Sequence, residues 1–145
     1  VVGTYYSSAA GPASVFPSAE QFIADYTEAY GNAPTPYAAE AYDSTGIVLA
    51  ALVRAIEANG GELPTREAVA AEVRATTDYE GLTGTITFDD NGDRELANYF
   101  VLEVLSADPE AWPENSVISQ IQIPSPLTAA AMDEAGGEAT EEAGS

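Results

Sequence analysis

Cysteine, histidine and lysine are all absent from this 145-residue chain. Without cysteine there can be no disulfide framework, no metal thiolate and no thiol nucleophile. Without histidine there is no Ser/His/Asp triad, no histidine general base and almost no route to a catalytic zinc site. The only basic side chains are four arginines, set against 24 carboxylates for a formal charge of −20. Such a surface repels nucleic acid and anionic membranes, although salt shortens its reach to about 8 Å at physiological ionic strength. A surface of carboxylates in place of lysine fits a salt-rich environment or simple lineage composition, and the sequence does not choose between them. No stretch reaches the roughly twenty apolar residues of a transmembrane helix, and no basic and apolar leader is present. The chain opens Val1-Val2-Gly3, which reads as a fragment whose N-terminal part is missing.

What is present suffices for a core, since 46% of residues are apolar or aromatic and the length suits one domain or a piece of a larger one. The dominant stretch runs from Thr35-Pro36-Tyr37 to Gly60-Gly61. From Tyr37 to Asn59 it lacks proline, and Val48, Leu52, Ala55 and Ile56 follow helical spacing. Glu40 and Asp43 sit where a helix dipole favours anions, Arg54 lies near the other end, and the glycine pair is the stop. Tyr37, Tyr42 and the two carboxylates read equally as a capped helix start or as one wall of a binding site.

Around it, Val1 to Tyr6 reads as a short strand and Ser7 to Pro17 as a loop. Ser18, with Gln21 at the capping-box position, predicts a helix with Phe22, Ile23, Tyr26 and Tyr30 on its apolar face, ending at Gly31-Asn32. Thr65 caps a third helix with Val69 and Val73 facing inward. Thr77 to Thr83 reads as a loop, Thr85 to Phe88 as a strand, and Asp89-Asp90-Asn91-Gly92-Asp93 as a tight turn. Asn98 to Leu105 is apolar enough to predict a strand covered on both faces. Ser116 to Ile123 is a last strand, and the alanine, glycine and glutamate of the remaining residues predict disorder.

The acidic turn superficially resembles a calcium loop. With Gly92 as the loop glycine, however, Thr87 and Asn98 stand where an aspartate and a bidentate glutamate are required, so no metal site is expected. Adjacent carboxylates such as Glu141-Glu142 arise from composition alone and carry no signature of acid/base catalysis. The tyrosines are more informative, because an apolar ring with a hydroxyl suits a ligand cleft as well as a core edge.

Four segments in order carry a resemblance: Gly3-Thr4-Tyr5-Tyr6; Phe22 with Tyr26 and Tyr30-Gly31; Pro36 to Asp43; and Gly81 to Asp89 followed by Asn91-Gly92-Asp93. Together they resemble the C-terminal part of a leucine/isoleucine/valine-type solute-binding protein of ABC transporters, over about residues 1–106. The resemblance implies an α/β class, part of a two-lobe type I periplasmic-binding-protein fold, with three helices and about four strands here. It implies a strand and interlobe crossover over 1–6, the end of the first lobe over 7–93, a third crossover over 94–99, second-lobe strands over 99–124 and a disordered acidic tail over 125–145.

By the same resemblance Ala39, Glu40, Tyr42 and Tyr37 would face the ligand, and Tyr5, Tyr6 and Asn98 would lie at the hinge. The implied activity is capture of an amino acid or related small carboxylate, without catalysis or cofactor, and delivery to a membrane ABC permease. The implied location is periplasmic, or extracellular and membrane-anchored. A ligand-sensing domain of a receptor or regulator is the alternative use of the same fold, and a hydrolase or calcium-binding module is a more distant one. The residues through which the family chiefly grips the ammonium and carboxylate of an amino acid lie upstream of the matching positions. The chain by itself is therefore expected to expose apolar surface, to be poorly stable and to bind no amino acid tightly.

Overall fold

A computed structural model describes residues 1–132 of the chain. Its longest element is α2, Ala38–Ala58, flanked by α1, Glu20–Tyr30, and α3, Arg66–Arg74. The strands are β1, Tyr5–Ser8; β2, Tyr79–Gly81; β3, Gly84–Ile86; β4, Leu96–Glu103; and β5, Ser116–Pro124. Strands β1, β4 and β5 form one antiparallel sheet with β4 in the centre, and β2 and β3 form a separate hairpin. The mixed helix and strand content agrees with the α/β expectation.

Several local expectations hold for the reasons given. Thr65 caps α3, its hydroxyl accepting the Ala68 N–H at 3.2 Å. Gly31 ends α1 in the left-handed conformation that glycine adopts without steric penalty. At the end of α2 the Gly61 N–H reaches back to the Ile56 carbonyl at 2.9 Å, closing the helix as its glycine pair implies. The acidic turn closes on itself, with Asp89 Oδ1 accepting the N–H groups of Asn91 and Asp93.

Other boundaries move. Ser18 does not cap α1: it lies in a 3-10 turn, Pro17–Ala19, and its hydroxyl donates to the Leu82 carbonyl at 2.7 Å. Gln21 bonds Asp25 one turn on instead of returning to a cap. The first strand begins at Tyr5, because Val1 to Thr4 forms a turn closed by the Val1 carbonyl. The stretch around Tyr79, expected as a loop, is β2, since Gly81 and Gly84 permit a two-residue hairpin connection to β3. Strand β4 is not covered on both faces: Phe100 and Leu102 are buried, while on the opposite face Tyr99 is exposed and Val101 half-buried. Residues 126–132, at the head of the expected disordered tail, are helical. Ser125 caps them, its side-chain oxygen accepting the Thr128 N–H and its carbonyl accepting the Ala129 N–H. Residues 133–145 lie outside the described part.

The principal core lies on the inward face of β4. Phe100 and Leu102 meet Ala13, Phe16, Ala19 and Ala39 there, with Phe16 edge-on to Phe100 at 5.9 Å between ring centres. A side chain on Gly11 would approach the Phe100 ring to 3.1 Å, so glycine lets the backbone lie against it. A second packed region joins α2 to α3 and the hairpin through Ile47, Ala51 and Ala55. Of the helically spaced Val48, Leu52, Ala55 and Ile56, only Ala55 is buried; Leu52 and Ile56 are half-buried, and Val48 is exposed with Leu49 and Val53. Ile118, Ile121 and Ile123 of β5 are exposed as well, so the chain presents apolar faces as the resemblance implied.

Candidate functional site

Everything at the site hangs on how α2 begins. Thr35, Pro36, Tyr37 and Ala38 form a tight turn, with the Ala38 N–H on the Thr35 carbonyl at 3.2 Å. Tyr37 occupies its third position with φ 67° and ψ 5°, a conformation that this turn normally reserves for glycine or asparagine. Holding a tyrosine there stores strain of about 1 kcal/mol. The turn's backbone geometry, held by the Ala38 to Thr35 hydrogen bond, sets the direction in which the side chain leaves the backbone.

From that start the helical repeat sends side chains to three flanks. Tyr37, Ala41, Tyr42 and Thr45 line a groove of about 780 Å³ shared with α1. Four rings follow one another along it: Tyr30 to Tyr26 at 4.6 Å, Tyr26 to Phe22 at 5.7 Å, and Phe22 to Tyr42 at 5.1 Å between centres. Such tilted ring pairs hold their faces in place. Tyr30, Tyr37 and Tyr42 remain more than half exposed.

The second flank is the interior. Ala39 is 2% exposed and packs against the β4 core, so of the four residues expected at the ligand it alone faces the protein interior. Asp43, one turn on, is also 2% exposed. Its carboxylate accepts the N–H of Leu82 at 2.7 Å, the N–H of Thr83 at 2.8 Å and the Thr83 hydroxyl at 2.8 Å. Three donors compensate the loss of water around this anion. The carboxylate expected at a helix cap or at the wall of a binding site is thus enclosed among donors of the hairpin connection. Its adjacency to Tyr42 was visible, whereas its donors lie about 40 residues downstream.

Glu40 occupies the third flank, half-buried, with Oε2 enclosed and without a hydrogen-bond partner. Burial raises its carboxyl above the ordinary range; its own backbone N–H opposes the shift, the Asp43 charge adds to it and Arg94 opposes it. Arg94 is half-buried beside these two carboxylates and is lowered by desolvation, which their charges resist. Its guanidinium donates to the Thr83 hydroxyl at 3.0 Å and to the Thr83 and Thr85 carbonyls, leaving Nε enclosed without an acceptor.

The three residues expected at the hinge all lie on the β1–β4–β5 sheet. Tyr5 pairs with Glu103 and is exposed. Tyr6 pairs with Leu102, and its hydroxyl accepts the Asn115 side-chain N–H at 3.1 Å. Asn98 donates to the Thr83 carbonyl at 3.2 Å and accepts from Gln120 at 3.1 Å. The Asp43–Thr83 contact thereby continues from the start of α2 through β4 to β5. Among the described residues no cluster of acidic side chains is arranged to hold a metal ion, and no helix is long and apolar enough to cross a membrane.

A family profile described as periplasmic binding protein matches residues 1–109. No curated protein matches the chain. Among solved structures it is similar to the leucine binding protein LivK of Thermotoga maritima, with 28% identity and a TM-score of 0.64 over 83% of this chain and 31% of that one. A branched-chain amino acid ABC transporter structure from Rhodospirillum rubrum shows 32% identity and a TM-score of 0.53, over 81% of this chain and 31% of that one. A solute binding protein of an ABC transporter from R. palustris, in complex with benzoate, shares the fold at 14% identity and a TM-score of 0.63, over 86% and 32% of the two chains. The chain spans about a third of the length of each of these structures.

Proposed function

Because the chain belongs to the periplasmic binding protein family, we propose that it forms part of the extracytoplasmic receptor of an ABC transporter, walling a cleft that receives an amino acid or related small carboxylate. The observation that carries this reading is the start of α2, which places Tyr37 and Tyr42 at an open groove and Glu40, with an unpartnered buried oxygen, on the adjoining flank. Strain at Tyr37 supports it, because a backbone held in an unfavourable region serves the direction of a side chain. Ala39 contributes packing behind that wall rather than contact.

No bond is made or broken in this reading. A solute between two lobes favours the closed arrangement by its differential affinity for it, and a permease reads the closed form. Tyr5, Tyr6 and Asn98 belong to the strands about which the lobes turn, with residues 94–99 as a crossover and 99–124 in the second lobe. The chain alone offers one wall, so its own affinity is weak, in the millimolar range typical of a partial site at roughly −4 kcal/mol.

The test is a titration of the isotope-labelled chain with leucine, isoleucine and valine, followed by amide and side-chain NMR. Weak, saturable shifts concentrated at Tyr37, Glu40 and Tyr42 are expected. Shifts confined to other surfaces, or none at high ligand concentration, would overturn the assignment.

A further inference from the structure

The groove between α1 and the start of α2 has a chemistry more specific than a generic apolar cleft. Its rings are Phe22, Tyr26, Tyr30, Tyr37 and Tyr42, its charged lining residue is Asp25, and no arginine lines it. An aromatic face carries negative potential and attracts a cation placed over it within about 6 Å. Among the described residues no cationic side chain lines that position. Arg54 is paired with Glu72 on α3, Arg94 is engaged with Thr83 and Thr85, and Arg66 and Arg74 bound α3. The formal charge of −20 adds a long-range field that raises the local concentration of any cation.

We propose that this groove binds an organic cation with an apolar body, an alkylammonium group seated against the Tyr26, Tyr37 and Tyr42 rings with the Asp25 carboxylate at its rim. The proposal deepens the solute-binding reading and rests on it in taking Tyr37 and Tyr42 to face the solute. It assigns to that wall the cationic side-chain end of the ligand. Asp25 is held in place by the Gln21 amide at 2.7 Å, the pairs of Phe22 with Tyr26 and Tyr42 orient those two rings, and the turn at Thr35 to Ala38 sets where Tyr37 leaves the backbone. The groove volume of about 780 Å³ accommodates a group of this size with room for a longer substituent.

Choline and its neutral isostere 3,3-dimethylbutan-1-ol separate charge from shape. Each is titrated into the chain while the tyrosine ring resonances are followed by NMR, with leucine titrated in parallel. Choline is expected to shift Tyr26, Tyr37 and Tyr42 saturably and the neutral alcohol to do so at least five-fold more weakly. Tyr26→Leu, which keeps apolar bulk, is expected to weaken choline binding about two- to five-fold, the contribution of one ring face. Equal binding of choline and the alcohol would overturn the proposal, as would absence of ring shifts with choline. Leucine shifts at Glu40 and Tyr42 without any choline response would sink the cation site while leaving solute binding standing. A choline response without leucine shifts would do the reverse.

Discussion

The carboxylate of Asp43 in α2 grips the backbone and hydroxyl of Thr83, with Oδ2 2.8 Å from each. A helix start is thereby tied to a hairpin connection 40 residues away. The same threonine is held from the other side by Arg94 and Asn98. Thr83 is the point at which α2, the hairpin and β4 meet.

Replacing Asp43 by alanine removes three accepted hydrogen bonds and leaves the Leu82 and Thr83 N–H groups without acceptors in a buried place. A buried donor without a partner costs about 1–3 kcal/mol, so Asp43→Ala is expected to destabilise by at least about 3 kcal/mol. Asp43→Asn keeps one acceptor oxygen and should lose roughly half as much. Hydrogen exchange at the Leu82 and Thr83 amides reports the change directly. Unchanged protection in Asp43→Ala would show that the contact does not hold the loop.

Gly81 is the silent partner of that contact. A side-chain carbon there would lie 2.6 Å from Asp43 Oδ2 and 2.7 Å from its carboxyl carbon. The buried carboxylate has no room to retreat, so Gly81→Ala is expected to cost about 2 kcal/mol or more. Gly31→Ala has nothing within 4 Å and only its positive φ to oppose it, so about 1 kcal/mol is expected there. Urea unfolding of the two variants side by side checks the order, and a larger loss at Gly31 would refute the steric account.

The sequence displayed elements more readily than it displayed what they touch. The ends of α2 were legible because glycine, proline and charge act locally, and the start of α3 was legible in Thr65. The packed side of α2 was not, because the helix carries two apolar stripes and periodicity does not say which one is covered. The stripe that packs contains a carboxylate, Asp43, followed by Ile47, Ala51 and Ala55. Small residues let α3 and the hairpin approach closely, while the larger Val48 and Val53 remain open. Ser18 misled for the opposite reason: its local capping pattern yielded to a hydrogen bond with Leu82, 64 residues away. At the site the tyrosines and Glu40 were legible as residue types, but their distribution over three flanks required the helix to be placed.

Tyr37 offers a test of stored strain that is independent of the ring's contacts. Tyr37→Gly and Tyr37→Ala both remove the exposed ring, but only glycine is at ease at φ 67°. The glycine variant is expected to be the more stable of the two by about 1 kcal/mol. Both should weaken the leucine-induced shifts at Glu40 and Tyr42. Paired denaturation midpoints provide the measurement, and an alanine variant as stable as the glycine variant would mean that the turn carries no strain.

Glu40 gives the chain a pH dependence of definite sign. Its carboxyl is raised in the folded protein, chiefly by burial, so the folded state holds this proton more tightly than the unfolded chain does. The contribution is most favourable below the unfolded value of about 4.5 and declines as pH rises through the raised folded value. Glu40→Gln removes that ionisation, so its stability relative to the parent should improve as pH rises from about 4 to neutrality. The difference between the two proteins in urea midpoint across pH isolates this group from the other carboxylates. A difference that is flat, or that grows toward acid, would contradict the burial of Oε2.

The open face of α2 predicts an inversion of the usual rule that apolar residues in a helix tolerate polar replacement poorly. Leu49 is 57% exposed and Val53 54%, whereas Ala51 between them is fully buried. Leu49→Gln and Val53→Gln are each expected to change stability by no more than about 0.5 kcal/mol and to reduce self-association, because they remove apolar surface from water without opening a cavity. Ala51→Gln must force a long polar side chain between α2 and its neighbours, and a loss of about 3 kcal/mol is expected. Ile47→Ala should lose about 2 to 4 kcal/mol through the cavity it leaves. Unfolding curves for the four variants, with light scattering for association, test the placement of the helix as a whole. Large losses at Leu49 and Val53 would mean that in solution this face is covered, and that the packed side of α2 is wider than the stripe from Asp43 to Ala55.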